Sequence, residues 1–226
     1  MADEAKHAGV QIVTGDTKVV KKGQCDKVFI NTAGIGLVES GMKHIADGSA
    51  IRPGDVLLVN GFLGDHEISI LAARENLQLE PPVLSDVASL HALIRLLMKE
   101  GIEIHYMRDI TRGGLATILA EIATTFNIGI HTVEKDIPVR EQVSGACEIY
   151  GFNPLYLANE GKVLAIVSGD SAPKALELMK RHPLGQHAAN IGTITGENKG
   201  RVLMKAITGG TRIIDKLAGE QLPRIC

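Results

Sequence analysis

Four consecutive apolar residues, Val56-Leu57-Leu58-Val59, constrain this chain more than any other stretch. The turn Arg52-Pro53-Gly54-Asp55 leads into them, with proline at the second position, where its fixed φ suits a β-turn. The loop Gly61-Phe62-Leu63-Gly64-Asp65-His66 follows, ahead of a short helix. A run this short between turn residues predicts a strand. The same alternation continues downstream. Ser85 is placed to cap a helix whose stripe is Val87, Leu90, Ile94, Leu97 and Met98, with Gly101 as its stop. Ile102 to Met107 predicts a strand, and Leu115, Ile118, Leu119, Ile122 and Phe126 form the stripe of the next helix. Further strands are predicted over 128–133, 163–167, 189–194 and 201–206. Helices are predicted over 139–150 and from a Ser171 cap to about Arg181. Crossover and hairpin spacings both occur, so the fold class is α+β.

The front of the chain is different. Residues 1–9 predict a helix that has no N-cap, and Val10–Val13 and Lys27–Thr32 predict two short strands. A helix starting at the first residue leaves its leading amides without partners, which predicts that the chain opens inside a larger fold. The 226 residues suffice for one large or two modest domains. A formal net charge of −2 offers no whole-molecule attraction for nucleic acid or anionic lipid, and neither is expected as a partner. No apolar run is long enough to span a bilayer, and Met1–Lys6 lacks the basic-then-apolar order of a signal peptide. The three cysteines, Cys25, Cys147 and Cys226, lie far apart without a C-x-x-C, against both a disulfide scaffold and a structural zinc site. A reducing cytoplasm is the expected location.

Polar clusters punctuate the strands. Gly15-Asp16-Thr17-Lys18 offers a carboxylate, a hydroxyl and an amine together, a set able to hold magnesium and a phosphate, or equally a plain β-turn. Arg108-Asp109-Ile110-Thr111-Arg112-Gly113-Gly114 lies between a strand and a helix. Paired glycines there suit close approach of an anion to a helix N-terminus, or simply a tight connection. Ala158-Asn159-Glu160-Gly161-Lys162 precedes a strand, where Glu160 is placed either as a general base or as part of a solvated turn. Neither the phosphate loop nor the dinucleotide fingerprint is present; after Gly34 and Gly36, Glu39 occupies the third glycine's place. The histidines make no metal-binding spacing, with His66 beside Asp65 the one candidate for a role.

The chain ends Leu222-Pro223-Arg224-Ile225-Cys226. Pro223 fixes its own φ and biases Leu222 to an extended form, so the geometry predicted is a stiff arm with a thiol at its tip. A frayed terminus with an incidental cysteine is the alternative.

Taken in order, Val13–Val20, Gly61–His66, Arg108–Gly114, Ala158–Lys162 and the terminal Pro-Arg-Ile-Cys resemble the HypE family of hydrogenase maturation factors over nearly the whole chain. The resemblance implies the two-domain fold of aminoimidazole ribonucleotide synthetase, shared with selenophosphate synthetase and thiamine-monophosphate kinase. It places a remnant of the N-terminal ATP-binding domain at 1–48, a full C-terminal α/β sandwich domain at 49–215 and a mobile tail at 216–226. It implies that the family's Asp-rich magnesium and ATP loop lies outside this sequence.

The resemblance also implies a reaction. Family members accept a carbamoyl group on the terminal cysteine from the carbamoyltransferase HypF and dehydrate it to thiocyanate with ATP. Cyanide then passes to iron in the HypC–HypD scaffold of nickel–iron hydrogenase assembly. On that footing Cys226 is the carrier, Glu160 the base and Lys18 the stabiliser of phosphoryl charge. Asp16 and Asp109 are magnesium ligands, and Thr17, Thr111, Gly113 and Gly114 lie near ATP. A homodimer is implied as well. A selenophosphate synthetase-like enzyme and a non-catalytic docking module are the rival readings.

Overall fold

The computed structural model describes residues 1–25, 28–217 and 219. Two units are distinguished, Met1–Met42 and the rest of the chain from Lys43. In the first unit, α1 spans Ala2–Ala8 and ends at Gly9 in the left-handed conformation. Its N-cap, Met1, makes no side-chain cap bond, as the sequence predicts. The strands predicted at 10–13 and 27–32 are not formed among the described residues. A strand requires a hydrogen-bonded neighbour, and this unit supplies none, so Val13, Val19, Phe29, Ile35 and Leu37 remain exposed.

The second unit is built on a seven-stranded sheet. Its strands are β1 (Val56–Val59), β2 (Ile104–Asp109), β3 (Gly129–Val133), β4 (Val163–Val167), β5 (Ala189–Thr195), β6 (Val202–Lys205) and β7 (Thr211–Ile214). They run in the order β2-β4-β1-β5-β3-β6-β7. Only the β3–β6 pair among them is parallel. β1 lies between β4 and β5 and is buried at every position, because both faces of the sheet are covered. Leu57 and Val59 pack with Leu115, Ile118 and Ile122 of α5 (Gly114–Phe126). Val56 and Leu58 pack on the other side with Leu93 and Leu97 of α4 (His91–Lys99) and Ala175 and Met179 of α7 (Ala172–Arg181). A smaller cluster joins Ile68 and Leu71 of α3 (Asp65–Glu75) to Val143 and Cys147 of α6 (Glu141–Tyr150). A short helix α2 (Lys43–Asp47) and the last strand, β7, were not predicted.

Two local expectations are corrected. The helix predicted to start at Ser85 begins at His91, and Val87 is exposed while Leu93 is buried. Ser85 and Asp86 have other commitments: Ser85 Oγ lies 2.8 Å from His66 Nδ1, and Asp86 Oδ1 accepts the Glu160 N–H at 3.0 Å. Ser171 occupies the N-cap of α7 without capping it through its side chain. Its hydroxyl accepts the Glu103 N–H instead, at 3.2 Å. Gly101 does stop its helix, with φ +70° and its N–H donating to Met98 O at 3.1 Å.

Candidate functional site

Strand pairing brings two of the predicted clusters to one end of the sheet. β2 and β4 are antiparallel with Asp109 opposite Val163, so the loop leaving β2 and the loop entering β4 are neighbours. The Ile110 N–H donates to Lys162 O at 3.0 Å, extending the pairing beyond the strands. At this end Asp109 is exposed and Glu160 partly so.

The β4 entry loop is held by side chains from distant parts of the second unit. Asn60, one residue past β1, accepts the Val163 N–H at 2.8 Å and donates to Gly161 O at 3.1 Å and Leu184 O at 2.8 Å. Asn159 is fully buried; its Oδ1 accepts the Gly64 N–H at 2.8 Å and its Nδ2 donates to Leu157 O at 3.1 Å. Glu67 of α3 accepts the Ala158 N–H. Burial pushes the Glu67 carboxyl above its ordinary value, and the hydrogen bond from Ala158 offsets part of that rise. Asp86 takes the Glu160 N–H on one oxygen, and its other oxygen stands 2.9 Å from Lys162 Nζ. That second contact is an ion pair without the alignment of a hydrogen bond.

Beside this loop is a cleft of about 510 Å³, lined by Asn60, Phe62, Asp65, Asp86, Arg140 and Lys162 among others. Arg140 Nε lies 3.1 and 3.0 Å from the two Asp65 oxygens, and its guanidinium covers the Phe62 ring at 4.2 Å. Burial raises the Asp65 carboxyl above its ordinary value, and the Arg140 contacts partly offset this. Sequence reasoning assigned no role to Asn60, Glu67, Asp86 or Arg140. Asp65 and Lys162 stand inside quoted motifs, whereas Asp86 falls in the first turn of the helix predicted from Ser85.

At the β2 end, Thr111 Oγ1 donates to Asp109 Oδ2 at 3.1 Å. Gly113 and Gly114 both have positive φ, +78° and +64°. A Cβ on Gly114 would lie 2.4 Å from Leu155 O, so this glycine admits the 155–157 backbone across the start of α5. In the first unit, Asp16, Thr17 and Lys18 are exposed, and Asp16 Oδ1 accepts the Thr17 N–H at 2.8 Å. Cys226 lies outside the described residues.

Each unit offers hard oxygen atoms of the kind magnesium takes, Asp109 and Thr111 in the second unit and Asp16, by itself, in the first. No cluster of three or more metal-binding side chains occurs among the described residues. A magnesium ion held by Asp109 would keep most of its shell for water and phosphate oxygens, its usual habit.

Comparison with known proteins identifies the family. Residues 52–205 match the AIR synthase related protein, C-terminal domain. Over all 226 residues the chain is 48% identical to the carbamoyl dehydratase HypE of Azotobacter vinelandii, spanning 66% of that protein. The chain belongs to the HypE family. A crystal structure of the hydrogenase maturation protein HypE in complex with ATP superposes with a TM-score of 0.88 at 40% identity, covering 100% of this chain and 68% of that one. HypE in a HypE–HypF complex gives 0.81 at 42% identity, covering 96% and 70%. The α+β architecture and the aminoimidazole ribonucleotide synthetase-like fold predicted from sequence are those of HypE. The chain spans just under two thirds of the HypE of Azotobacter vinelandii. No helix among the described residues is long and apolar enough to cross a membrane.

Proposed function

We propose that this chain serves the ATP-dependent dehydration of a carbamoylated C-terminal cysteine, the step that makes cyanide for nickel–iron hydrogenase assembly. The observation carrying the proposal is similarity along its whole length to a protein named carbamoyl dehydratase HypE. The HypE structure with ATP supports nucleotide use, and the HypE–HypF complex supports HypF as the partner, in this reading the carbamoyltransferase that loads the cysteine. Delivery to HypC–HypD, a cytoplasmic location, a homodimer and domain limits of 1–48, 49–215 and 216–226 belong to the same proposal.

An amide oxygen is a poor leaving group, and phosphorylation changes that. With atoms balanced, the S-carboxamide oxygen takes the terminal phosphoryl group of ATP. The nitrogen surrenders both its protons, one to a base and one to the departing phosphate, which leaves with the oxygen; thiocyanate and ADP remain. In this reading Cys226 carries the carboxamide and Glu160 accepts a proton from its nitrogen. Lys18 stabilises negative charge on the phosphoryl group, with Thr17, Thr111, Gly113 and Gly114 as nucleotide contacts. Asp16 and Asp109 would hold magnesium, which supplies charge neutralisation at the phosphates. The geometry that supports this role for Glu160 is a partly exposed carboxylate on a loop whose backbone is fixed by buried side chains.

The test is mass analysis of the C-terminal peptide of a form that carries the family's whole N-terminal ATP-binding domain, after incubation with HypF, carbamoyl phosphate and ATP. Cys226 should gain a carboxamide and then lose one water, whereas Glu160→Gln should load and then stall. Removing a general base typically slows its step about 10²- to 10⁴-fold. Labelling of a Cys226→Ala chain, or equal water loss in Glu160→Gln and the parent, would reject the assignment.

A further inference from the structure

We infer that Asp86 is a positioning residue for Glu160, fixing the direction from which the proposed base approaches its proton. The inference rests on the role given to Glu160 above. Asp86 grips the loop on both sides of Gly161: the Glu160 N–H donates to Oδ1 at 3.0 Å, and Lys162 Nζ lies 2.9 Å from Oδ2. Gly161 leaves no slack between them. A Cβ there would stand 1.9 Å from Asp86 O and 3.1 Å from Ala88 N, so the two backbones are in direct contact.

The Asp86 side chain is 4% exposed, and Lys162's is 11% exposed. Water therefore competes little for either partner, and hydrogen bonds to an ionised acceptor are the stronger kind. The segment that carries Asp86 lies outside regular helix or strand and is tied down at Ser85, whose Oγ is 2.8 Å from His66 Nδ1. His66 belongs to the first turn of α3, the helix that also sends Glu67 to the Ala158 N–H. The base-bearing loop is thus suspended from two carboxylates, Glu67 at residue 158 and Asp86 at residue 160. The Glu160 amide requires only an acceptor oxygen, whereas the Lys162 ammonium requires the charge.

That difference separates the roles experimentally. Asp86→Ala removes both contacts, and Asp86→Asn keeps an oxygen for the Glu160 N–H. A displacement near 1 Å from the productive geometry costs about a hundredfold in rate. In the dehydration assay, Asp86→Ala should slow water loss from the loaded tail by about that factor at saturating ATP, with the half-saturating ATP concentration unchanged. Asp86→Asn, which keeps the Glu160 contact and loses the Lys162 pair, should recover part of the rate. Amide hydrogen exchange across 158–163 should be faster in Asp86→Ala than in the parent, with Asp86→Asn between the two and nearest the parent at the Glu160 amide. Parental rates and exchange in Asp86→Ala overturn the inference, as does an Asp86→Asn chain as slow and loose as Asp86→Ala. The parent in the dehydration assay is a form that carries the family's whole N-terminal ATP-binding domain; if that form does not dehydrate its tail, the dehydratase reading fails, and the exchange comparison alone decides the positioning.

Discussion

Asn60 and Val163 are bound together by an amide side chain that completes the sheet where its strands stop: Asn60 Oδ1 accepts the Val163 N–H at 2.8 Å. Asn60 follows β1 by one residue and Val163 opens β4, so the side chain prolongs the β1–β4 ladder by one rung. The same amide donates to Gly161 O and Leu184 O. Asn60→Ala would take the side-chain partner from one N–H, that of Val163, and from two carbonyls, Gly161 O and Leu184 O. The expected loss is about 3 kcal/mol of unfolding free energy, measured by urea denaturation. A loss below about 0.5 kcal/mol would mean that the rung is not structural.

Glu67 sets a pH dependence. Its carboxyl is raised above 4.5 chiefly by burial, against the hydrogen bond from Ala158 and the nearby His66. The folded chain therefore holds this proton more tightly than the unfolded chain. The group's contribution to stability is full below pH 4.5 and is lost as pH rises through the folded value. Glu67→Gln never ionises, so its stability relative to the parent should increase as pH rises across that window. Denaturation curves for both chains at a series of pH values give the difference directly. Parallel pH profiles would contradict the prediction.

Gly114 combines φ +64° with a neighbouring carbonyl, Leu155 O, that would stand 2.4 Å from a Cβ. Strain and overlap act together here. Gly114→Ala should destabilise the second unit by about 1–3 kcal/mol, visible as a lower melting temperature. Gly145→Ala is the internal control, since a Cβ at that helical glycine meets nothing within 4 Å. A helix-interior glycine replaced by alanine should be neutral or stabilising by roughly 0.5–1 kcal/mol.

Cys147 is buried between α3 and α6, and burial pushes its thiol up to about 11. Little of it is thiolate near neutrality, and reagents reach it poorly. Iodoacetamide should leave Cys147 unmodified in the folded chain and alkylate it after denaturation, as read by peptide mass analysis. Exposed Cys25 should react in both states. Prompt alkylation of Cys147 in the folded chain would show that the α3–α6 cluster opens.

The sequence by itself determined the elements whose signals are local. The apolar run at Val56–Val59, the stripe Leu115–Phe126 and the stop at Gly101 depend on neighbours within a turn or two, and each formed where predicted. It also determined the family, because the quoted motifs survive as contiguous residues. The tertiary structure decided what those residues do to one another. Asp86 and Glu160 are 74 positions apart, and Asn60 and Val163 are 103 apart. No periodicity records such a pairing, because the sheet order β4-β1-β5 sets it. The helix predicted from Ser85 failed for the same reason: a carboxylate and a hydroxyl with strong distant partners outweigh a modest local preference for capping. Gly114 was legible as a glycine before a helix, yet the carbonyl that forbids a side chain there comes from a turn of 3-10 helix 41 residues later, at Leu155. Local sequence sets backbone preference, and long-range packing selects which side chains meet, since buried polar groups must find their partners wherever the fold brings them.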